Sequence, residues 1–241
     1  MHCSTSCILA VVDPGNPCRD DVLVNYLMTY KYPNAVLMIF CKAPVPGQVK
    51  TRLIPELTAE QAAELHIELS IKTLQRATKD NLCPIQLWCS PTTEHDFFTS
   101  LQATYPITIE QQQGSDLGQR MHHAFRSALA GYSHALLMGC DCPSLTGQDL
   151  EHALVALTQE DEVVLAPAED GGYVLIGLNR PHPELFDNMP WGTARVLDQT
   201  RSRIEHYKLS HYELSKQWDL DTPEDLRRYR TFSSRMRTAN F

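Results

Sequence analysis

The feature that most constrains the fold is an unbroken apolar run, Ala35-Val36-Leu37-Met38-Ile39-Phe40, followed closely by Pro44, Pro46 and Gly47. A run without polar alternation suits a strand buried on both faces of a parallel sheet, and the Pro/Gly cluster ends it in a loop. Comparable strands are expected at Ile85 to Cys89, Ile107 to Glu110, Ala135 to Met138 and Val163 to Ala166. Helical patterns separate them. Thr58 stands three residues before Gln61, a capping box, and Leu57 is placed to staple against Ala62, so a helix is expected from here to Thr78. Leu65, Ile67, Leu69, Ile71 and Leu74 give it a broad apolar stripe. Further helices are expected at Glu94 to Tyr105, Leu117 to Leu129 and Gln148 to Leu157. Strands alternating with helices of this length predict a three-layer α/β/α sandwich around a mostly parallel sheet.

No Gly/Ser-rich or Pro-rich linker divides the pattern, so the expected organisation is an N-terminal extension over 1–34, one α/β domain over 35–230 and a tail over 231–241. With 241 residues, 43% hydrophobic and 21% charged, the chain is globular rather than disordered or fibrous. Its net charge of −8 opposes polyanions, which argues against nucleic acid and anionic membranes as partners. The apolar runs Ala35 to Cys41 and Val163 to Ala168 fall far below the ~20 residues of a membrane span. Met1 to Val12 lacks the basic start of a secretory signal, so a cytoplasmic address is expected, and with it reduced cysteines. The eight cysteines include no C-x-x-C pair and no His cluster at finger spacing, so structural zinc is not expected.

In such sheets ligands bind beyond the carboxyl ends of the strands. The loop after the first strand, Lys42 to Arg52, holds Lys42, Lys50 and Arg52 in an acidic protein. It is neither a P-loop, since Val49 precedes Lys50, nor a dinucleotide fingerprint, yet its position points to phosphate rather than to a solvated turn. Asp141 ends another apolar run; it either caps the turn at Pro143 or offers a carboxylate to Mg²⁺ or Mn²⁺ opposite the phosphate loop. Asp170-Gly171-Gly172 reads as a tight hairpin turn, or as a close backbone approach with Asp170 as base or hydroxyl acceptor. Thr222, Pro223 and Asp225 open the last helix, whereas Asp219 and Asp221 precede the cap and are free to reach a cation. Gln113 to Met121 and Pro190 to Thr193 are two more loop-to-helix junctions. His122 and His123 are adjacent on a helix and cannot share one ion, so they are taken as surface or rim residues.

Six ordered motifs carry a resemblance over residues 35–230: Lys42-x-Pro-x-Pro-Gly-x-Val-Lys-Thr-Arg-Leu53, Gln113-Gly-x-Asp-Leu-Gly-x-Arg-Met121, Gly139-x-Asp-Cys-Pro-x-Leu145, Asp170-Gly-Gly-Tyr-x-Leu-Ile-Gly177, Trp191-Gly-Thr193 and Trp218-Asp-Leu-Asp-Thr-Pro-Glu-Asp-Leu226. The set resembles a bacterial family of uncharacterised glycosyltransferase-A-like proteins, some of them assigned to arsenosugar biosynthesis. Lys50 to Leu53 is also similar to the phospholactate guanylyltransferases, and Asp221 to Leu226 to the sugar-acid cytidylyltransferases. The resemblance implies a Rossmann-like sandwich with a mixed sheet of the nucleotide-diphospho-sugar transferase type, a nucleotide over the first loop, and a divalent cation, Mg²⁺ or Mn²⁺, between Asp141 and Asp221. The chain departs from the D-x-D pattern of glycosyltransferases, because Cys142 and Pro143 follow Asp141.

From these residues, Lys42, Gly47, Lys50 and Arg52 are expected to hold phosphates, Lys50 and Arg52 also stabilising charge on a pyrophosphate. Asp116 and Arg120 would border the nucleoside. Gly171, Gly172, Trp191 and Thr193 would face the acceptor, with Asp170 as the base. The expected function is glycosyl transfer from a nucleotide-sugar to a small-molecule acceptor. The alternatives are nucleotidyl transfer from a nucleoside triphosphate to a phosphorylated or acidic metabolite, and a catalytically silent nucleotide-binding protein.

Overall fold

The computed structural model describes residues 29–54 and 56–238, with side chains to 234. Most of the extension over 1–34 therefore lies outside the described residues.

Among the described residues seven strands form one sheet: β1 (Ala35–Lys42), β2 (Ile85–Ser90), β3 (Ile107–Gln111), β4 (His134–Gly139), β5 (Val163–Pro167), β6 (Tyr173–Leu178) and β7 (His211–Glu213). Their order is β3-β2-β1-β4-β6-β5-β7. β1 is parallel to β2 and β4, and β2 to β3, whereas β6 runs antiparallel to both β4 and β5. β7 closes the edge, parallel to β5. The sheet is thus mixed and mostly parallel.

Tyr173–Leu178, which is not among the strands expected from the sequence, forms β6. The turn before it explains the reversal: Ala168 N–H donates to Gly172 O at 2.9 Å, and Gly171 adopts φ +88°. Such a short connection can join only antiparallel neighbours. At Gly177 a Cβ would stand 2.6 Å from Leu136 Cδ2, so close strand packing requires the glycine.

Among the described residues six α-helices cover the sheet: α1 (Ala59–Thr78), α2 (Asp96–Thr104), α3 (Leu117–Ala128), α4 (Gly147–Thr158), α5 (Val196–Tyr207) and α6 (Pro223–Thr238). The capping box of α1 is present, with Thr58 Oγ1 accepting from Gln61 N–H at 3.2 Å and Gln61 Oε1 accepting from Thr58 N–H at 2.9 Å. α6 continues past residue 230, where a tail is expected.

The strands feed two cores, as burial on both faces demands. Leu37, Ile39 and Cys41 of β1 pack with α1, α2 and α4, while Val36 and Met38 pack with α3 and α5. A smaller cluster of Leu53, Leu69, Trp218, Leu220 and Leu226 holds α6 against α1. His122 and His123 are half-buried rather than on the rim: the first lies against Phe186, the second edge-on to Trp88. Cys41, Cys83, Cys89, Cys140 and Cys142 are free and buried, and burial pushes the Cys83 and Cys89 thiols up to about 12. No helix among the described residues is long and apolar enough to cross a membrane.

The strand order reverses between β1 and β4. Loops leaving their carboxyl ends diverge there, which opens a crevice at the switch point.

Candidate functional site

A cavity of about 760 Å³ occupies that crevice. Its wall includes Lys42, Lys50 and Arg52 from the first loop, Asp116 and Arg120 at α3, Asp141 after β4, Asp170 and Gly172 at the hairpin, Trp191 and Thr193, and Asp221. Six segments far apart in sequence are thus brought together. Gly47 and Gly171 do not line it. Gly47 turns the first loop at φ +79°, and Gly171 sits so close to Ala194 O that a Cβ would approach to 2.3 Å.

Lys50 is the centre of the arrangement. Its backbone is left-handed (φ 49°, ψ 34°) and its side chain is only 3% exposed. The ammonium lies 2.6 Å from Leu220 O, 2.8 Å from Asp141 Oδ1 and 3.1 Å from Asp221 Oδ1. The ammonium donates hydrogen bonds to Leu220 O and Asp221 Oδ1 and forms an ion pair with Asp141 Oδ1. Lys50, expected on sequence grounds to grip phosphate, instead ties three segments of the protein together. Arg52 remains largely exposed, with Nη1 3.7 Å from Asp221 Oδ2.

Charge at the cluster follows from this geometry. Burial disfavours the Lys50 ammonium, but Asp141 and Asp221 outweigh it and hold its pKa above the ordinary value. Burial likewise works against the Asp141 carboxylate, and Lys50 with His66 reverses that, holding the group well below the usual carboxylate range. Asp141 Oδ1 is buried while the side chain as a whole is 43% exposed, so its outer oxygen looks toward solvent. Asp219 lies behind the wall, its carboxyl pushed up to about 7 by burial and by the like charges of Asp141, Asp221 and Asp170.

His66 of α1 also lines the cavity and was not singled out in the sequence. Its Nε2 donates to Lys42 O at 2.9 Å and its Nδ1 stands 3.9 Å from Asp141 Oδ1. Asp141 outweighs burial and raises the imidazole pKa. The available signal was a polar residue on the buried stripe of α1, beside Ala62, Ala63 and Leu69.

Several expected site residues also serve local structure. Asp116 is the N-cap of α3, accepting from Gln119 N–H at 2.8 Å. Arg120 Nε donates to Gly114 O at 3.1 Å. Thr193 Oγ1 donates to Pro190 O at 2.8 Å, leaving Trp191, edge-on to Tyr173, as the broad contact surface. Asp170 Oδ1 accepts from Gly172 N–H at 2.9 Å, the hairpin-turn role.

A metal held by protein groups alone does not fit. Among the described residues no three His, Cys, Asp or Glu side chains are arranged to hold one, and Lys50 sits between the inner oxygens of Asp141 and Asp221. The half-exposed outer oxygens of those carboxylates do fit a cation that completes its shell with water and phosphate, as Mg²⁺ commonly does.

The model of a family described as an uncharacterized protein conserved in bacteria (DUF2064) matches residues 73–193. No curated protein matches the chain. A crystal structure from Desulfovibrio desulfuricans G20, provisionally assigned as a nucleotide-diphospho-sugar transferase, is 32% identical, covers 80% of this chain and 85% of its own, and superposes with a TM-score of 0.74. Two further structures share the fold. One is CMP:2-keto-3-deoxy-manno-octonic acid synthetase complexed with CTP, at 11% identity, 84% and 99% coverage and a TM-score of 0.55. The other is 4-diphosphocytidyl-2C-methyl-D-erythritol synthase from Anaerococcus prevotii DSM 20548, at 10% identity, 84% and 99% coverage and a TM-score of 0.56. By its motifs, its sheet order and these matches, the chain belongs to the bacterial DUF2064 family and has the nucleotide-diphospho-sugar transferase fold.

Proposed function

We propose that the protein transfers a sugar from a nucleotide-diphospho-sugar to a small, uncharged acceptor. The related structures bear names of nucleotide-using transferases, which supports the coarse class. The finer choice rests on how charge is divided around the cavity. Of the stretch from Asp170 to Val196, the one charged side chain on the wall is Asp170; the rest of that wall is Gly172, Tyr173, Val174, Ile176, Trp191, Gly192, Thr193 and Val196. A phosphorylated or acidic acceptor would need a cation there, since burying an unpaired anion is costly. An uncharged hydroxyl compound does not.

In this reading Lys42 and Arg52 take the phosphates, with Lys50 holding the carboxylates around which they are arranged. Arg52 offers a two-pronged donor suited to a diphosphate leaving group. Trp191 carries an apolar ring against which the acceptor or the sugar packs. Asp170 accepts the proton of the acceptor hydroxyl as that oxygen attacks the anomeric carbon and the bond to the diphosphate breaks. A divalent cation would be held by the outer oxygens of Asp141 and Asp221 and would neutralise charge on the leaving diphosphate. On the wall Asp116, Asp141, Asp170 and Asp221 match Lys42, Lys50, Arg52 and Arg120 in number, and Lys50 is already paired with Asp141 and Asp221, so a diphosphate brings negative charge that a cation would offset.

The test is to incubate the protein and Mn²⁺ with nucleotide-sugars or with nucleoside triphosphates, adding neutral polyols or sugar phosphates. Release of nucleoside diphosphate that depends on a neutral acceptor is the expected result. Pyrophosphate release from a triphosphate with a phosphorylated acceptor would establish nucleotidyl transfer instead.

A further inference from the structure

Four polar side chains line one side of α1 at helical spacing: His66, Ser70 and Thr73, which are buried, and Arg76, which is half-buried. Three of them reach backbone oxygens of the loops that form the cavity. His66 holds Lys42 O, as described above. Thr73 Oγ1 donates to Cys140 O at 3.4 Å. Arg76 Nη2 donates to Cys142 O at 3.1 Å and its Nη1 to Pro143 O at 3.3 Å. The carbonyl between, Asp141 O, accepts from Leu220 N–H at 2.9 Å. Four consecutive carbonyls of the turn that carries Asp141 are therefore each held.

We propose that Arg76, which lies outside the substrate cavity, is a positioning residue that sets the direction of the Asp141 carboxylate; the functional part of this inference rests on the reading of Asp141 above. Two features favour it over a packing role. The first is cost. The guanidinium has carbonyls and Thr73 as its hydrogen-bond acceptors, with no carboxylate among them, and its Nε is buried without a hydrogen-bond partner. Burial lowers its pKa from the ordinary value. An apolar residue of similar volume would fill the space at less cost if filling were all that mattered. The second is shape. A planar fork spans two adjacent carbonyls and fixes both peptide planes, which the single ammonium of a lysine does not.

The architecture also supplies a route for testing it. A second cavity of about 590 Å³ lies behind the turn, lined by Leu69, Arg76, Leu145, Tyr229 and Phe232. Cys140 borders both cavities. A small cation can therefore reach the place of a truncated Arg76 from the rear without entering the substrate site.

The experiment compares Arg76→Met, Arg76→Lys and Arg76→Ala with the wild type by crystallography and by calorimetric titration with ADP, CDP, GDP and UDP in the presence of Mn²⁺. In Arg76→Met the Cys142 and Pro143 carbonyls should rotate and Asp141 Oδ1 should leave Lys50 Nζ, from which it stands 2.8 Å in the native protein. Affinity for the diphosphate that the wild type binds most tightly should fall by about 10- to 100-fold, the usual effect of losing a group that orients a ligand-binding carboxylate. Arg76→Lys should recover part of this, and millimolar guanidinium should restore Arg76→Ala where methylammonium does not. An Arg76→Met crystal with the Asp141–Lys50 contact intact, or a native affinity in that variant, overturns the proposal, as does equal rescue by methylammonium. Absence of diphosphate binding by the wild type would defeat the nucleotide reading, while the crystal structures would still decide the role of Arg76. If Arg76→Met fails to fold, Arg76→Lys and rescued Arg76→Ala carry the same comparison.

Discussion

Replacing Lys50 by methionine keeps most of the side-chain volume and removes the charge that three segments share. Asp141 Oδ1 then remains buried with Asp221 and Asp219 nearby and no cation between them. Removing one partner of a buried ion pair costs about 3–5 kcal/mol. The outer oxygens of Asp141 and Asp221 reach solvent, at 43% and 41% side-chain exposure, so the lower end applies, about 3 kcal/mol. For a chain of this size that corresponds to a melting temperature lower by roughly 6–12 °C. The pH dependence separates this cause from lost packing. In the native protein the depressed Asp141 pKa contributes stability above the ordinary carboxylate value, lost only as pH falls through the depressed one. Without Lys50, burial and like charge raise the same group, so its destabilising effect is full at pH 8 and fades as the pH falls through that raised value. The assay is urea unfolding of wild type and Lys50→Met at pH 8 and pH 5, with the Lys50→Met/Asp141→Asn double variant alongside. The deficit should be larger at pH 8, and the double variant should recover part of it there. A deficit equal at both pH values and untouched by Asp141→Asn would refute the electrostatic account.

Two other variants probe different links. Gly177→Val should destabilise by about 1–3 kcal/mol in denaturant unfolding, because its side chain enters the space of Leu136 and Leu157, and Leu136→Val in the same chain should return part of the loss. Asp170→Asn should leave diphosphate affinity unchanged and lower turnover by about 10²–10⁴-fold, measured as acceptor-dependent diphosphate release; native turnover would remove Asp170 as the base.

The parts of this fold that depend on near neighbours were legible. The capping box at Thr58 and Gln61, the buried run from Ala35 and the hairpin turn at Asp170-Gly171-Gly172 are specified within a few residues. β6 was not recognised because its central place depends on pairing with β4, across more than 30 residues. The junction at Pro190 to Thr193 announces α5 only loosely, since its N-cap Arg195 makes no side-chain cap bond, and β7 is a three-residue, largely exposed edge strand without alternation. In the site, the motif loops pointed to Lys50, Asp141 and Asp221, but not to their contact with one another. Whether Lys50 faces outward to phosphate or inward to carboxylates is decided by the distant Leu220 carbonyl, which no local pattern announces.

That inward turn also bears on why the first loop has its sequence. A non-glycine residue held left-handed stores backbone strain, which persists only where the surroundings over-determine it. At Lys50 the surroundings are the ammonium's three oxygens on one side and, on the other, Val49 and Leu53, both buried. The strain and the ion cluster therefore support each other: the left-handed turn lets the side chain reach the carboxyl end of β4, and the carboxylates keep the turn from relaxing. Lys42 and Arg52 are then left exposed at the two ends of the loop, which in the proposed function is set before any phosphate arrives. The ordering entropy of the loop is met in folding rather than in binding, so substrate affinity would be read mainly from these two outer cations.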